Sequence, residues 1–205
     1  MSKLNEALAE INSIRGQIAR STEFRGYGPA SVAASGALAL LVAAIQSHWP
    51  RSFDDDFRTF LAIWMATAAV SLILTGTETI TRARRVHSGI AGEMISNAAG
   101  QFLPSLTAGL LLTVVIMRFA PSSLWMLPGL WQVVFSLGVF ASCRFLPRQM
   151  SFVGVWYLVA GLTCIAVNGG QGTFSPWLMG LPFGIGQLLV AAVLQFGYRE
   201  AHERI

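Results

Sequence analysis

Five stretches of this chain hold no Asp, Glu, Lys or Arg, and they limit what it can fold into. They cover residues 26–50, 59–77, 94–117, 119–143 and 149–198, with lengths of 25, 19, 24, 25 and 50. About 20 apolar residues are needed for a helix to cross roughly 30 Å of hydrocarbon. Each of the first four runs therefore holds one crossing. The last holds two, because "NGGQGTFSP" from Asn168 to Pro176 is a cluster of turn formers near its middle. Six transmembrane helices are predicted, over 29–47, 59–77, 102–119, 124–142, 152–168 and 176–197. Only 12% of the residues are charged, about half the share of a soluble domain. The fold class is thus an all-α polytopic membrane bundle. Residues 1–28 precede it as a cytoplasmic amphipathic helix and turn, 29–198 form the membrane domain, and 199–205 form a cytoplasmic tail.

The formal net charge of +4 invites a nucleic-acid reading, but the placement of the basic residues decides against it. With the N-terminus inside, Lys3, Arg15, Arg20, Arg25, Arg82, Arg84, Arg85, Arg144, Arg148, Arg199 and Arg204 face the cytoplasm. Arg51, Arg58 and Arg118 alone face out, with Asp54, Asp55 and Asp56 beside them. Eleven against three is a positive-inside pattern with both termini cytoplasmic. Trp49, Trp125 and Trp177 fall at the outer helix ends, and Trp156 near the inner end of the fifth helix, as an interfacial belt requires. The lipid bilayer is therefore the partner that the charge pattern implies, and no nucleic acid is expected.

The N-terminal "KLNEALAEINSIRGQIAR" repeats Leu4, Ala7, Ile11, Ile14 and Ile18 at helical spacing. Such a helix lies on the inner leaflet or docks a cytosolic or membrane partner. At the end of the second apolar run, "GTETITRARRVHSG" brings Glu78 and then Arg82, Arg84 and Arg85. Glu78 and Arg82 stand four apart on a helix and are placed to pair. They read as the edge of a span, with a charged gate or interface as the alternative. Ala83, Val86, Ile90, Met94 and Asn97 continue one face, which suggests that the second helix runs on into the cytoplasm.

Catalytic signatures are missing. There is no Gly-x-Ser-x-Gly, Gly-x-x-x-x-Gly-Lys, His-Glu-x-x-His or Cys-x-x-Cys. His48, His87 and His202 are scattered between both faces, and the adjacent Asp54, Asp55 and Asp56 read as a solvated loop tip. No enzyme activity, metal or other cofactor is expected. Cys143 and Cys164 fall at different depths and read as unbridged thiols.

What remains is polar chemistry at mid-membrane. "SLWMLPGLWQ" (123–132) and "SPWLMGLPFGIGQ" (175–187) share Ser, Trp, Leu-Pro and a closing Gln, a hint of duplicated hairpins. Rise along a helix sets Gln132 and Gln187 roughly 12 and 16 Å below the outer helix ends. Pro182 predicts a kink beside them. Midplane polar groups near a Pro-interrupted helix are the pattern of transporter binding sites. Gln132, Gln187, Gln101, Thr113 and Trp177 are the candidate substrate-binding residues. Small-residue pairs (Ala30/Ala34, Ala33/Ala37, Ala62/Ala66, Gly138/Ser142 and Gly180/Gly184) prepare close helix contacts, within the bundle or between copies of a homo-oligomer.

The phrases "EFRGYGP", "LPGLWQ", "FASCRFLPR" and "LPFGIGQLL" resemble a group of short bacterial six-helix inner-membrane proteins without an assigned activity. The resemblance implies the bacterial inner membrane and carries over no catalytic residue. Two functional readings stay open. One is a small-molecule transporter or channel with a midplane polar site. The other is a non-transporting regulatory or scaffold subunit that meets its partner through cytoplasmic helices.

Overall fold

Helix α1 (Pro29–Ser47) starts where Pro29 supplies a fixed φ at the first helical position and loses no needed N–H. It is followed by α2 (Phe57–Val86), α3 (Ala91–Phe119), a 3-10 turn (Pro121–Met126), α4 (Leu127–Ser142), α5 (Met150–Asn168) and α6 (Trp177–Glu203). In this computed structural model the described residues are 11, 14, 28–48, 57–86, 91–143, 146, 149–168 and 175–203. The side chains of 82–86, 91–95, 97–99 and 197–203 lie outside that set. Of the proposed N-terminal helix only Ile11 and Ile14 are described, both helical and exposed. The rest of that segment, Trp49, residues 54–56, His87 and the arginine side chains of 82–85 lie outside the described residues.

Among the described residues, six stretches are long and apolar enough to cross a membrane: Pro29–Ser47, Phe57–Thr81, Gly100–Phe119, Pro121–Ser142, Met150–Asn168 and Trp177–Phe196. They match the charge-free runs to within a few residues. The second helix runs on past residue 77 to Val86, residues 87–90 lie outside the described residues, and Ala91 belongs to α3.

Consecutive helices run antiparallel and pack as neighbours, and α1 closes the circuit against α6 with the most extensive interface in the bundle. At one end, Ala39 and Ala43 of α1 meet Phe57, Phe60 and Trp64 of α2, Leu127 of α4 and Met179 of α6. At the other, Val32, Val139, Met150, Val153, Tyr157, Ala191 and Leu194 form the second core. We call these the Gln46 end and the Glu78 end. Phe135 joins the two layers to the middle of the bundle, with its ring centroid 4.7 Å from Tyr157, 5.5 Å from Phe183 and 5.1 Å from Phe102.

Close approach depends on glycine where backbones meet. A Cβ on Gly129 would lie 2.6 Å from the Gly161 carbonyl, and one on Gly161 would lie 2.7 Å from the Gly129 carbonyl, so α4 and α5 touch main chain to main chain. Gly180 and Gly184 receive Ala43 and Leu40 of α1, and Gly138 receives Phe102 of α3. These two small-residue motifs serve contacts inside the bundle. Ala30, Ala34, Ala37, Ala62 and Ala66 instead lie exposed, and of the alanine pairs Ala33 alone packs on the core. Small side chains without a polar group suit lipid and core equally well, and spacing alone cannot tell the two apart.

Candidate functional site

Gln132 is fully buried on α4, and its partner explains why an amide sits there. Its Nε2 donates to the Leu178 carbonyl at 2.7 Å, and the Cys164 thiol reaches the same oxygen at 3.5 Å. In a regular helix that carbonyl accepts from the N–H four residues on. That residue is Pro182, inside α6, which has no N–H. Gln132 and Cys164 therefore supply the donors that the proline withholds. Trp156 bonds the same helix, with Nε1 donating to the Pro182 carbonyl at 3.0 Å. It points into the bundle, where the aromatic-belt reading had set it at the interface. Both cysteines are unbridged, Cys143 at the end of α4 and Cys164 buried on α5.

Gln132 does not converge with Gln187. Leu178 lies in the first turn of α6 and Gln187 nine residues further along, about 13 Å deeper at 1.5 Å per residue. The two Leu-Pro motifs also differ in role. Pro128 occupies the first turn of α4, whereas Pro182 interrupts the interior of α6. Other expected residues are held elsewhere. Thr113 accepts from Trp131 Nε1 at 2.8 Å and donates to the Gly109 carbonyl, tying α3 to α4. Trp177 packs on the core of the Gln46 end. Gln101 is exposed and joins none of them.

Gln187 belongs to a different arrangement. It lies on α6 between the inward positions Phe183 and Leu194, and Gly36 of α1 brings its main chain against the Gln187 Cβ. Tyr157 of α5 approaches from the other side, with its ring tip seated on Gly186. Tyr157 has no exposed surface. The Gln187 amide approaches its hydroxyl, yet no hydrogen bond of acceptable length and angle forms, and the hydroxyl is buried without a partner. Such a group costs about 1–3 kcal/mol. Phenylalanine would fill the same aromatic surroundings of Phe135 and Phe183 without that cost. The sequence carried one signal that was missed: Tyr157 is the one tyrosine inside a predicted span, on the stripe Met150, Val153, Gly154, Tyr157, Gly161, Cys164 and Asn168.

Glu78 also has an unforeseen partner. Its Oε2 accepts the Ser31 N–H at 3.1 Å, and a Cβ on Gly28 would collide with the carboxylate. Gly28 is the N-cap of α1 and provides no capping side chain, so α2 lends the cap from 47 residues away. A carboxylate on a helix N-terminus satisfies an orphan N–H and complements the dipole, together worth about 1 kcal/mol. The Arg82 side chain, and with it the expected pairing, lies outside the described residues.

Among the described residues no three His, Cys, Asp or Glu side chains gather as metal ligands would. Comparison with protein-family models, with curated proteins and with solved structures finds no match to this chain.

Proposed function

We propose that this protein is a bacterial inner-membrane transporter or channel for a small uncharged solute, with Gln187 and Tyr157 as its mid-bundle polar site. The observation that carries the reading is the fully buried Tyr157 hydroxyl with no partner. Beside it, Gln187 offers a donor and an acceptor. A passing molecule with both kinds of group satisfies both side chains. The side chains that meet here are all neutral, and burying a charge beside them would be costly, which selects an uncharged solute. A specific observation also favours the scaffold reading: Gln132 and Thr113, two of the expected site residues, already hold helices together.

Flux through purified protein in lipid vesicles separates the readings. Vesicles shrunk by a glycerol or urea gradient should re-swell faster with protein than without. Tyr157→Phe should slow the protein-dependent part about tenfold, the worth of one hydrogen bond near 1.4 kcal/mol. If neither solute moves and Tyr157→Phe melts higher than the parent, the hydroxyl is a packing defect and the scaffold reading replaces transport.

The eleven-to-three distribution of basic residues further places the Glu78 end in the cytoplasm. Reporter fusions at residues 53 and 172 should read periplasmic, and fusions at 89 and 205 cytoplasmic. A periplasmic signal at 89 would overturn this orientation.

A further inference from the structure

Helix α2 is loosely held over most of its length, yet it turns one narrow stripe inward. Phe57, Phe60, Trp64 and Thr67 are buried, and Ser71, Thr75 and Glu78 continue the same face at partial exposure. Leu72 and Ile73, on the opposite side, are 62% and 63% exposed. Below Trp64 the inward face is therefore polar and the outward face apolar, the reverse of a helix packed into a dry core. α1 answers it with Ser35, buried at 3% exposure, and with the Ser31 N–H that meets Glu78.

The hydrogen-bond state of these groups points to a ligand. Ser35, Thr67 and Thr75 donate their hydroxyl hydrogens to carbonyls of their own helices at 2.7–2.8 Å, which leaves them only acceptor capacity. At the Gln46 end, among the described residues, two buried atoms have no hydrogen-bond partner. They are the acceptor Gln46 Oε1 on α1 and the donor Trp64 Nε1 on α2, each on a residue 3% exposed. Their helices pack together, and Trp64 shares a core with Ala43, one turn before Gln46. A buried acceptor and a buried donor on packed helices are each the kind of group that a small hydrogen-bonding molecule satisfies.

We infer that the stripe Trp64, Thr67, Ser71, Thr75 and Glu78, facing Ser35 of α1, walls a water-filled path through the bundle that opens at Glu78. Its free capacity is mostly acceptor, so it suits water and other small uncharged molecules that donate hydrogen bonds. As the route of a transported solute the path rests on the transport reading above. As a hydrated crevice it stands without it.

Cysteine accessibility tests it in a Cys143→Ser, Cys164→Ala background that elutes from gel filtration as the parent does. Thr67→Cys, Ser71→Cys and Thr75→Cys are reacted in lipid vesicles with a charged, water-soluble methanethiosulfonate. Leu72→Cys and Ile73→Cys serve as controls. The reagent needs thiolate, and a thiol held in hydrocarbon stays protonated, so the stripe should react about tenfold faster or more. Where one stripe variant does not fold, the other two decide. Stripe positions that react no faster than the controls overturn the inference, and glycerol or urea flux measured alongside then leaves the transport reading standing. A reactive stripe without flux supports the path and removes transport.

Discussion

Gly161→Leu is expected to abolish the folded monomer. The Cβ position of residue 161 lies 2.7 Å from the Gly129 carbonyl, 2.9 Å from Val133 and 3.0 Å from the Gln132 Cβ. The first of these contacts is backbone and cannot rotate away. A leucine there must separate α4 from α5, and with them the Gln132 bridge to Leu178. Overpacking typically costs about 1–3 kcal/mol and more where the main chain has to move. Marginal stability leaves little reserve against such a loss. Gel filtration in mild detergent should show aggregate in place of the monodisperse parent peak. Leu162→Ala, at an exposed neighbouring site, should elute unchanged. A monodisperse Gly161→Leu protein with a parental melting temperature would mean that α4 and α5 do not touch as described.

The second large effect is a coupling between two residues 50 positions apart in the chain. Gln132→Leu removes the 2.7 Å donor from the Leu178 carbonyl, leaves it only the weak Cys164 thiol at 3.5 Å, and should destabilise the protein by about 1–3 kcal/mol. Pro182→Ala restores an N–H at the position that normally serves that carbonyl. In the Pro182→Ala background Gln132→Leu should therefore cost much less, with a coupling of about 0.5–2 kcal/mol across the double-mutant cycle. Thermal melts of the four proteins in one detergent read it directly. Additive losses would show that Gln132 acts through something other than the carbonyl freed by Pro182.

The sequence carried the number and order of the membrane-crossing segments, and the reason is local. Whether a segment can cross about 30 Å of hydrocarbon depends on its own run of uncharged residues, so the six spans were visible without knowledge of their neighbours. The placement of arginines and aromatic residues is equally local, and the orientation proposed here rests on it. The dependence of α6 on a foreign donor was half legible too, since any proline inside a span leaves one carbonyl without its N–H.

Only the tertiary structure decided which side of each helix faces inward and which polar groups meet. In lipid, the outer face and the core are both apolar, so hydrophobic periodicity does not separate them as it does in water. The alanines read as contacts lie exposed save Ala33, while Gly129, Gly161 and Gly36, never singled out, form the closest main-chain approaches. Polar partners are as remote in sequence as they are near in space: Gln132 meets Leu178 across 46 residues, and Glu78 meets Ser31 across 47. Each pairing is settled by an orphaned backbone group, a carbonyl freed by Pro182 and an N–H at the start of α1, which becomes a demand for a particular side chain only when another helix is laid against it.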